Sequence, residues 1–220
     1  STLVIAISQS GETADTLEAV RHAKGQKAKV LAICNTNGSQ IPREADAVLY
    51  TRAGPEIGVA ATKTFLAQVA ANYLVGLALA QARGTKYPDE VAREYRELEA
   101  MPALVEQVLE RLDPIADLGR QFAQSPTVLF LGRHVGYPVA LEGALKLKEL
   151  AYMHAEGFAA GELKHGPIAL IDDDLPVIVV MPSPKGSSML HAKLLSNIRE
   201  IQARGAVTIV IAEEGDETVR

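Results

Sequence analysis

The sequence predicts an α/β protein built on parallel sheets. Short apolar runs rich in β-branched residues recur along the chain, each run stops at a polar loop, and each loop opens a helical pattern. Strand, loop and helix in alternation imply parallel strands with helices over both faces of the sheet. The 220 residues, 48% hydrophobic and 22% charged, suffice for two domains of ordinary size with a soluble, globular composition. A net charge of −5 offers no basic surface for nucleic acid.

The first strand is the run Leu3-Val4-Ile5-Ala6-Ile7, which ends abruptly at Ser8. Ser8-Gln9-Ser10-Gly11-Glu12-Thr13 follows, then a helical pattern with Leu17, Val20 and Ala23. A helix start offers unpaired N–H groups and the positive end of its dipole. Ser8, Ser10 and Thr13 bring hydroxyls, Gln9 an amide, and Gly11 a backbone that a ligand can approach closely. This makes a cradle for a phosphate held by neutral donors. Ser10 or Thr13 capping the helix is the plainer alternative. The loop lacks the Gly-Lys-Ser/Thr ending of a nucleotide-phosphate loop and the three glycines of a dinucleotide fingerprint.

Lys29 to Cys34 is a second strand, Ile41 to Ala45 a short helix, and Ala47 to Tyr50 a third strand. The single cysteine, Cys34, has no partner for an internal disulfide and reads as small buried packing, which suits a reducing cytoplasm. Thr51 to Glu56 is another strand-to-helix loop. Ligands gather at the carboxyl ends of parallel strands, so the Ser8 and Gly54 loops can share one site. A long helix then runs to about Gln81. Its stretch Phe65 to Ala82 is apolar but interrupted by Gln68, Asn72 and Gln81, and reads as a buried helix, with no membrane span.

Residues 1–88 form a first domain. Residues 89–112 form a charged helical connection in which Pro102 starts or kinks a helix and Val91, Tyr95, Leu98, Leu104, Val105 and Val108 are candidate buried positions. Residues 113–220 form a second domain: strand Thr127–Leu131, helix Pro138–Met153, strand Pro176–Met181, helix Ser187–Ala203 and strand Ala206–Ala212. Val4-to-Ile33 and Val177-to-Ile211 follow the same strand, loop, helix, strand plan, which suggests a duplicated fold. The chain opens on a core strand with no signal peptide and stops in an acidic loop, and reads as cut at both ends from a longer polypeptide.

Glu142, Lys146 and Glu149 fall on one helical face, either as solvated ion pairs or as working groups. The segment His154 to Pro167 reads as a long loop concentrating His154, Glu156, Glu162, Lys164 and His165, of the kind that often carries function. Histidine moves protons near neutral pH, and a glutamate against a lysine can act as a base. His154, Glu156, Glu162 and His165 are the rival metal set, but no established metal-ligand spacing is present, and no metal is expected.

The segments AISQSGETADT, AGPEIGVAATKTF, GYPVALEGALKLKE and HAEGFAAGELKHGPIALID resemble the glucosamine-6-phosphate synthase family, isomerising glutamine–fructose-6-phosphate aminotransferases. The match is to the sugar-isomerase half, two flavodoxin-like SIS domains. SQSGET alone marks the wider phosphosugar-binding group, while ALEGALKLKE with AAGELKHGP is more specific. The resemblance implies conversion of fructose 6-phosphate and glutamine to glucosamine 6-phosphate and glutamate, the entry to hexosamine and cell-wall precursor synthesis. It implies that Ser8, Gln9, Ser10 and Thr13 hold the sugar phosphate, and that Val59 contacts the sugar. The next contact position, commonly Ser in the family, is Ala61 here. Glu149 would move a proton between C1 and C2, Lys146 would offset the developing enol-like charge, and His165 would open the ring. His165 would come from the neighbouring subunit of a homodimer. The family's glutaminase domain, with its nucleophilic cysteine, and a C-terminal tail carrying an active-site lysine lie outside these residues, and Cys34 cannot replace the former. No cofactor is implied. Alternatives are a SIS module that senses phosphosugars and a SIS-type sugar-phosphate deaminase or deglycase.

Overall fold

Three apolar runs pair into the first sheet of the computed structural model, which describes residues 2–219. β1 (Leu3–Ser8), β2 (Lys29–Cys34) and β3 (Ala47–Tyr50) are parallel in the order β1-β2-β3. Their register places Val4 beside Val30, Ser8 beside Cys34, and Cys34 beside Tyr50, so all three strands end together. α1 (Ala14–Gly25) presses Leu17 and Val20 onto Ala6, Val30 and Ala32, with Ile41 of α2 (Gln40–Glu44) closing the same cluster. Burying each large aliphatic side chain there contributes about 1.5–3 kcal/mol. α3 (Lys63–Ala82) packs on β2. α4 (Pro88–Glu99) is held to α3 by the Tyr73 hydroxyl, which donates to Glu94 at 2.6 Å, and α5 (Met101–Leu109) follows with Pro102 in its first turn.

The second sheet has the order β5-β4-β6-β7, all parallel: β4 (Thr127–Gly132), β5 (His154–Ala159), β6 (Pro176–Val180) and β7 (Val207–Ile211). Alternation along β4 sends Val128 and Phe130 to one face and Leu129 and Leu131 to the other. α7 (Gly136–Ala151) covers the first face through Ala140 and Ala144. α8 (Ser188–Gln202) covers the second through Leu194, Ile198 and Ile201. α6 (Asp113–Phe122) precedes β4. The chain divides into two compact units, 1–111 and 112–220.

Three expectations are corrected. Residues 154–167 are not a loop: they are strand β5 followed by 3-10 turns at Ala160–His165 and Pro167–Leu170. HAEGFA has little β-propensity. It is a strand because all six residues pair with β4 and because Gly157 lets α7 come close; a Cβ there would stand 2.9 Å from the Leu141 side chain. α3 is not a buried helix. Only Thr64, Ala71 and Leu77 are buried, while Leu66, Val69 and Tyr73 are exposed. By length and mean hydropathy (1.4) it could cross a membrane, and 17% of that window is buried. Finally, Tyr95, Leu104 and Val108 are exposed, and no residue of α4 or α5 is buried: α4 packs on α3 and on α5. Helices also fail to cover the first sheet evenly: Leu3, Ile5 and Ile7 on one face of β1 are exposed.

Candidate functional site

The loop after β1 is built around Gly11. Its φ of +69° suits glycine, and a Cβ would lie 2.0 Å from Ser39 Oγ and 2.8 Å from Cys34 Sγ. Its carbonyl accepts from Ile41 N–H at 2.9 Å, and its N–H donates to Ser8 Oγ at 3.0 Å. Ser8 is buried, and its hydroxyl also meets Thr13 Oγ1 at 3.1 Å. Ser10 Oγ accepts from Glu12 N–H at 3.2 Å, which leaves its own O–H to donate outward. Glu12 Oε1 accepts from Gln40 N–H at 2.9 Å, pinning the loop to α2.

The plainer alternative for this motif was a helix cap. Thr13 occupies the N-cap position of α1, yet no side chain caps the helix there. Thr13 turns back to Ser8, and the first helical bond runs from Leu17 N–H to Thr13 O. The N–H groups of the first turn therefore point out of the helix end beside the Ser10 hydroxyl, with the positive end of the dipole behind them. An anion with several acceptor oxygens fits that arrangement.

Two further loops join the first. Asn35, just past β2, donates its N–H to Gln9 O at 3.2 Å. Its side-chain amide donates to Gly54 O at 2.7 Å, and its Oδ1 accepts from Thr51 Oγ1 and Ala53 N–H, both at 2.9 Å. One residue, through its backbone and its side chain, thus stitches the loop carrying Gln9 to the loop carrying Gly54. The second of these continues through Val59, which is 94% exposed, and Ala61, which is half-buried. Ser8, Gln9, Ser10, Thr13, Val59 and Ala61 accordingly share the carboxyl end of one sheet.

In the second unit, Lys146 Nζ lies 2.5 Å from Glu149 Oε2 and 3.5 Å from Glu142 Oε1 on a half-buried face of α7. The hydrogen bond to Glu149 and the charge of Glu142 raise the Lys146 pKa above its ordinary value, against the opposing cost of burial. Lys146 is therefore a fixed cation. α7 starts beside the carboxyl end of β4 and runs back along the sheet, so Glu149, in its last turn, lies toward the end where β5 begins at His154. His165 is exposed and follows Leu163, which is buried in the cluster between the other face of the sheet and α8. Lys146 and Glu149 are brought together; His165 sits on the opposite face of the same sheet.

The rival metal set is also not gathered. His154 and Glu156 belong to the start of β5, where with Asp172, Asp173 and Asp174 they line a cavity of about 660 Å³, whereas Glu162 and His165 follow its end. Among the described residues no three His, Cys, Asp or Glu side chains are grouped to hold a metal.

Sequence reasoning missed Asn35 and Glu56. Asn35 had a signal, a polar side chain at the first position past a buried strand. Glu56 had none, because its partners Thr62 and Thr64 lie six and eight residues on.

The model of the SIS domain matches residues 1–78 and 121–220. The chain is 88% identical over all 220 residues to a glutamine–fructose-6-phosphate aminotransferase [isomerizing] of Mycolicibacterium paratuberculosis, and 89% identical to that of Mycobacterium leprae. It covers 35% of each, so it spans about a third of the length of these curated relatives. Among solved structures, the C-terminal domain of glucosamine-fructose-6-phosphate aminotransferase from Francisella tularensis superposes with a TM-score of 0.94 at 41% identity, over 99% of this chain and 61% of that one.

Proposed function

This chain belongs to the SIS-domain family, and from that premise we propose that it is the sugar-isomerising part of a glutamine–fructose-6-phosphate aminotransferase. The observation that carries the reading is the uncapped start of α1 beside the Ser10 hydroxyl, which suits a sugar phosphate. Ser10, Thr13 and Gln9 hold the phosphate, with Ser8 shaping the loop beneath them. Val59 and Ala61 face the sugar. Phosphate binding supplies energy remote from the reacting carbons.

A closed hexose hides its carbonyl. His165, whose imidazole has nitrogens that can donate and accept, moves the proton that opens the ring. Glu149 then takes a proton from C1 and returns it to C2. Lys146, held as a cation by Glu149 and Glu142, offsets the negative charge that grows on the sugar oxygens. Its raised pKa suits that electrostatic role and disfavours a neutral amine nucleophile. Ammonia for the amino group comes from a glutaminase domain of the longer polypeptide.

His165 and Glu149 lie on opposite faces of one sheet. That supports a homodimer in which each His165 serves the neighbouring subunit's Glu149. A buried, free Cys34 supports a reducing cytoplasm.

The test is NMR of fructose 6-phosphate in heavy water. Deuterium should enter at C1 in the presence of the longer protein, and Glu149→Gln should abolish exchange while leaving binding intact. Binding without exchange in the unmodified protein would identify a phosphosugar-binding module instead.

A further inference from the structure

Glu56 lies in the loop between β3 and α3, and its carboxylate reaches the first turn of α3. Oε2 accepts from Thr64 N–H at 3.0 Å, Thr62 N–H at 3.3 Å and the Thr64 hydroxyl at 2.6 Å. Oε1 accepts from the Thr62 hydroxyl at 3.2 Å. Thr62, the N-cap residue, makes no side-chain cap of its own. A carboxylate six residues upstream does the capping, at the end of the helix where the dipole favours negative charge.

These bonds close residues 57–61 into a short loop. Ile57 and Val59 stand 95% and 94% exposed at its tip, while Ala60 is buried at its inner side. Asn35 holds the other base of the loop at Ala53 and Gly54. The loop is therefore tied at both ends, by Asn35 on the side of the phosphate cradle and by Glu56 on the side of α3. Gly58 at its centre adds backbone freedom that these ties must restrain.

We propose that Glu56 is the positioning residue of the sugar-recognition loop: it fixes residues 57–61 in the conformation that presents Val59 and Ala61 beside the cradle, and so sets the preference for a sugar phosphate over bare phosphate. The inference rests on the sugar-phosphate reading given above. Its physical basis is the cost of ordering a loop during binding. A loop already closed by four hydrogen bonds to one carboxylate loses little freedom when a sugar arrives; a loop tied at one base must be ordered at the expense of affinity. The cradle is made from α1, α2 and Asn35 and does not involve Glu56. Bare phosphate should therefore be indifferent to it.

The experiment is calorimetric titration of the 220-residue chain with fructose 6-phosphate and, separately, with inorganic phosphate. Glu56→Ala should weaken fructose 6-phosphate binding by about tenfold or more and leave inorganic phosphate unchanged. Glu56→Gln keeps an acceptor oxygen and should recover part of the loss. Hydrogen exchange at the Thr62 and Thr64 amides should quicken in Glu56→Ala, with the Gly11 amide unaffected. Equal weakening of both ligands would make Glu56 a support of the whole fold and overturn the proposal. An unchanged sugar preference in both variants would overturn it as well, with the sugar-phosphate reading intact. A wild-type chain that binds phosphate without preferring the sugar would remove that reading together with the inference.

Discussion

The hydroxyls of Ser8 and Ser10 stand two residues apart and face opposite duties. Ser8 Oγ is buried and accepts the Gly11 N–H, so its removal strands a buried donor. Ser10 Oγ accepts from an exposed loop amide and keeps a proton to give. Ser8→Ala should therefore lower stability by about 1–3 kcal/mol in urea denaturation and weaken phosphate binding as a consequence. Ser10→Ala should weaken binding with stability changed by about 0.5 kcal/mol or less. Equal stability loss in both would contradict the division of labour. The motif was readable in the sequence because its members are contiguous and follow a strand. The same contiguity hid which hydroxyl faces inward, since that depends on Thr13 turning back to Ser8. Asn35 and Glu56 join loops through side chains, which no local spacing encodes.

At the scale of elements, the start of α3 depends on an ionised carboxylate. Hydrogen bonds from Thr64, then from Thr62, hold the Glu56 pKa down at about 2 from its ordinary 4.5. A carboxylate with a depressed folded pKa contributes stabilisation that is complete above the ordinary value and is lost as pH falls through the folded one. Protection of the Thr62 and Thr64 amides should hold at pH 5 and above, decline below about 4.5, and vanish near pH 2. Loss of protection already at pH 6 would show that the carboxylate does not control this turn. Elements with strong apolar runs, β1, β2, β4, β6 and β7, were legible from pattern. β5 was not, because pairing to β4 and the approach of α7 over Gly157 make it a strand despite a composition of small and polar residues. α3 misled in the other direction. Its apolar composition suggested burial, but the first unit buries only Thr64, Ala71 and Leu77 of its twenty residues.

Across the whole chain, the two units carry cores of unequal build. In the second, β4 and β6 are central strands with helices on both faces, and Leu129, Leu131, Val177, Val179, Leu194 and Ile201 are all buried. In the first, a three-stranded sheet leaves one face of β1 open. Native-state hydrogen exchange should therefore find the slowest amides at Leu129, Leu131 and Val179, with those of Ala6 and Val30 exchanging through a lower-energy opening. A single common rate for both sets would mean that the chain opens as one cooperative unit. The repeated strand–helix–strand plan made the two-part architecture legible, while the difference in burial was not, because periodicity reports which face is apolar and not whether anything covers it.

The Cys34 thiol, wholly buried beneath the Gly11 turn and in reach of Ser39 Oγ at 3.7 Å, makes the loop after β1 its own gatekeeper. A thiol-directed reagent can reach that sulfur only when the turn lifts away, so the labelling rate becomes a clock for loop opening. Saturating fructose 6-phosphate should slow the clock in proportion to how firmly it holds the turn shut. A rate insensitive to the ligand would mean that the sulfur is reached by some other door.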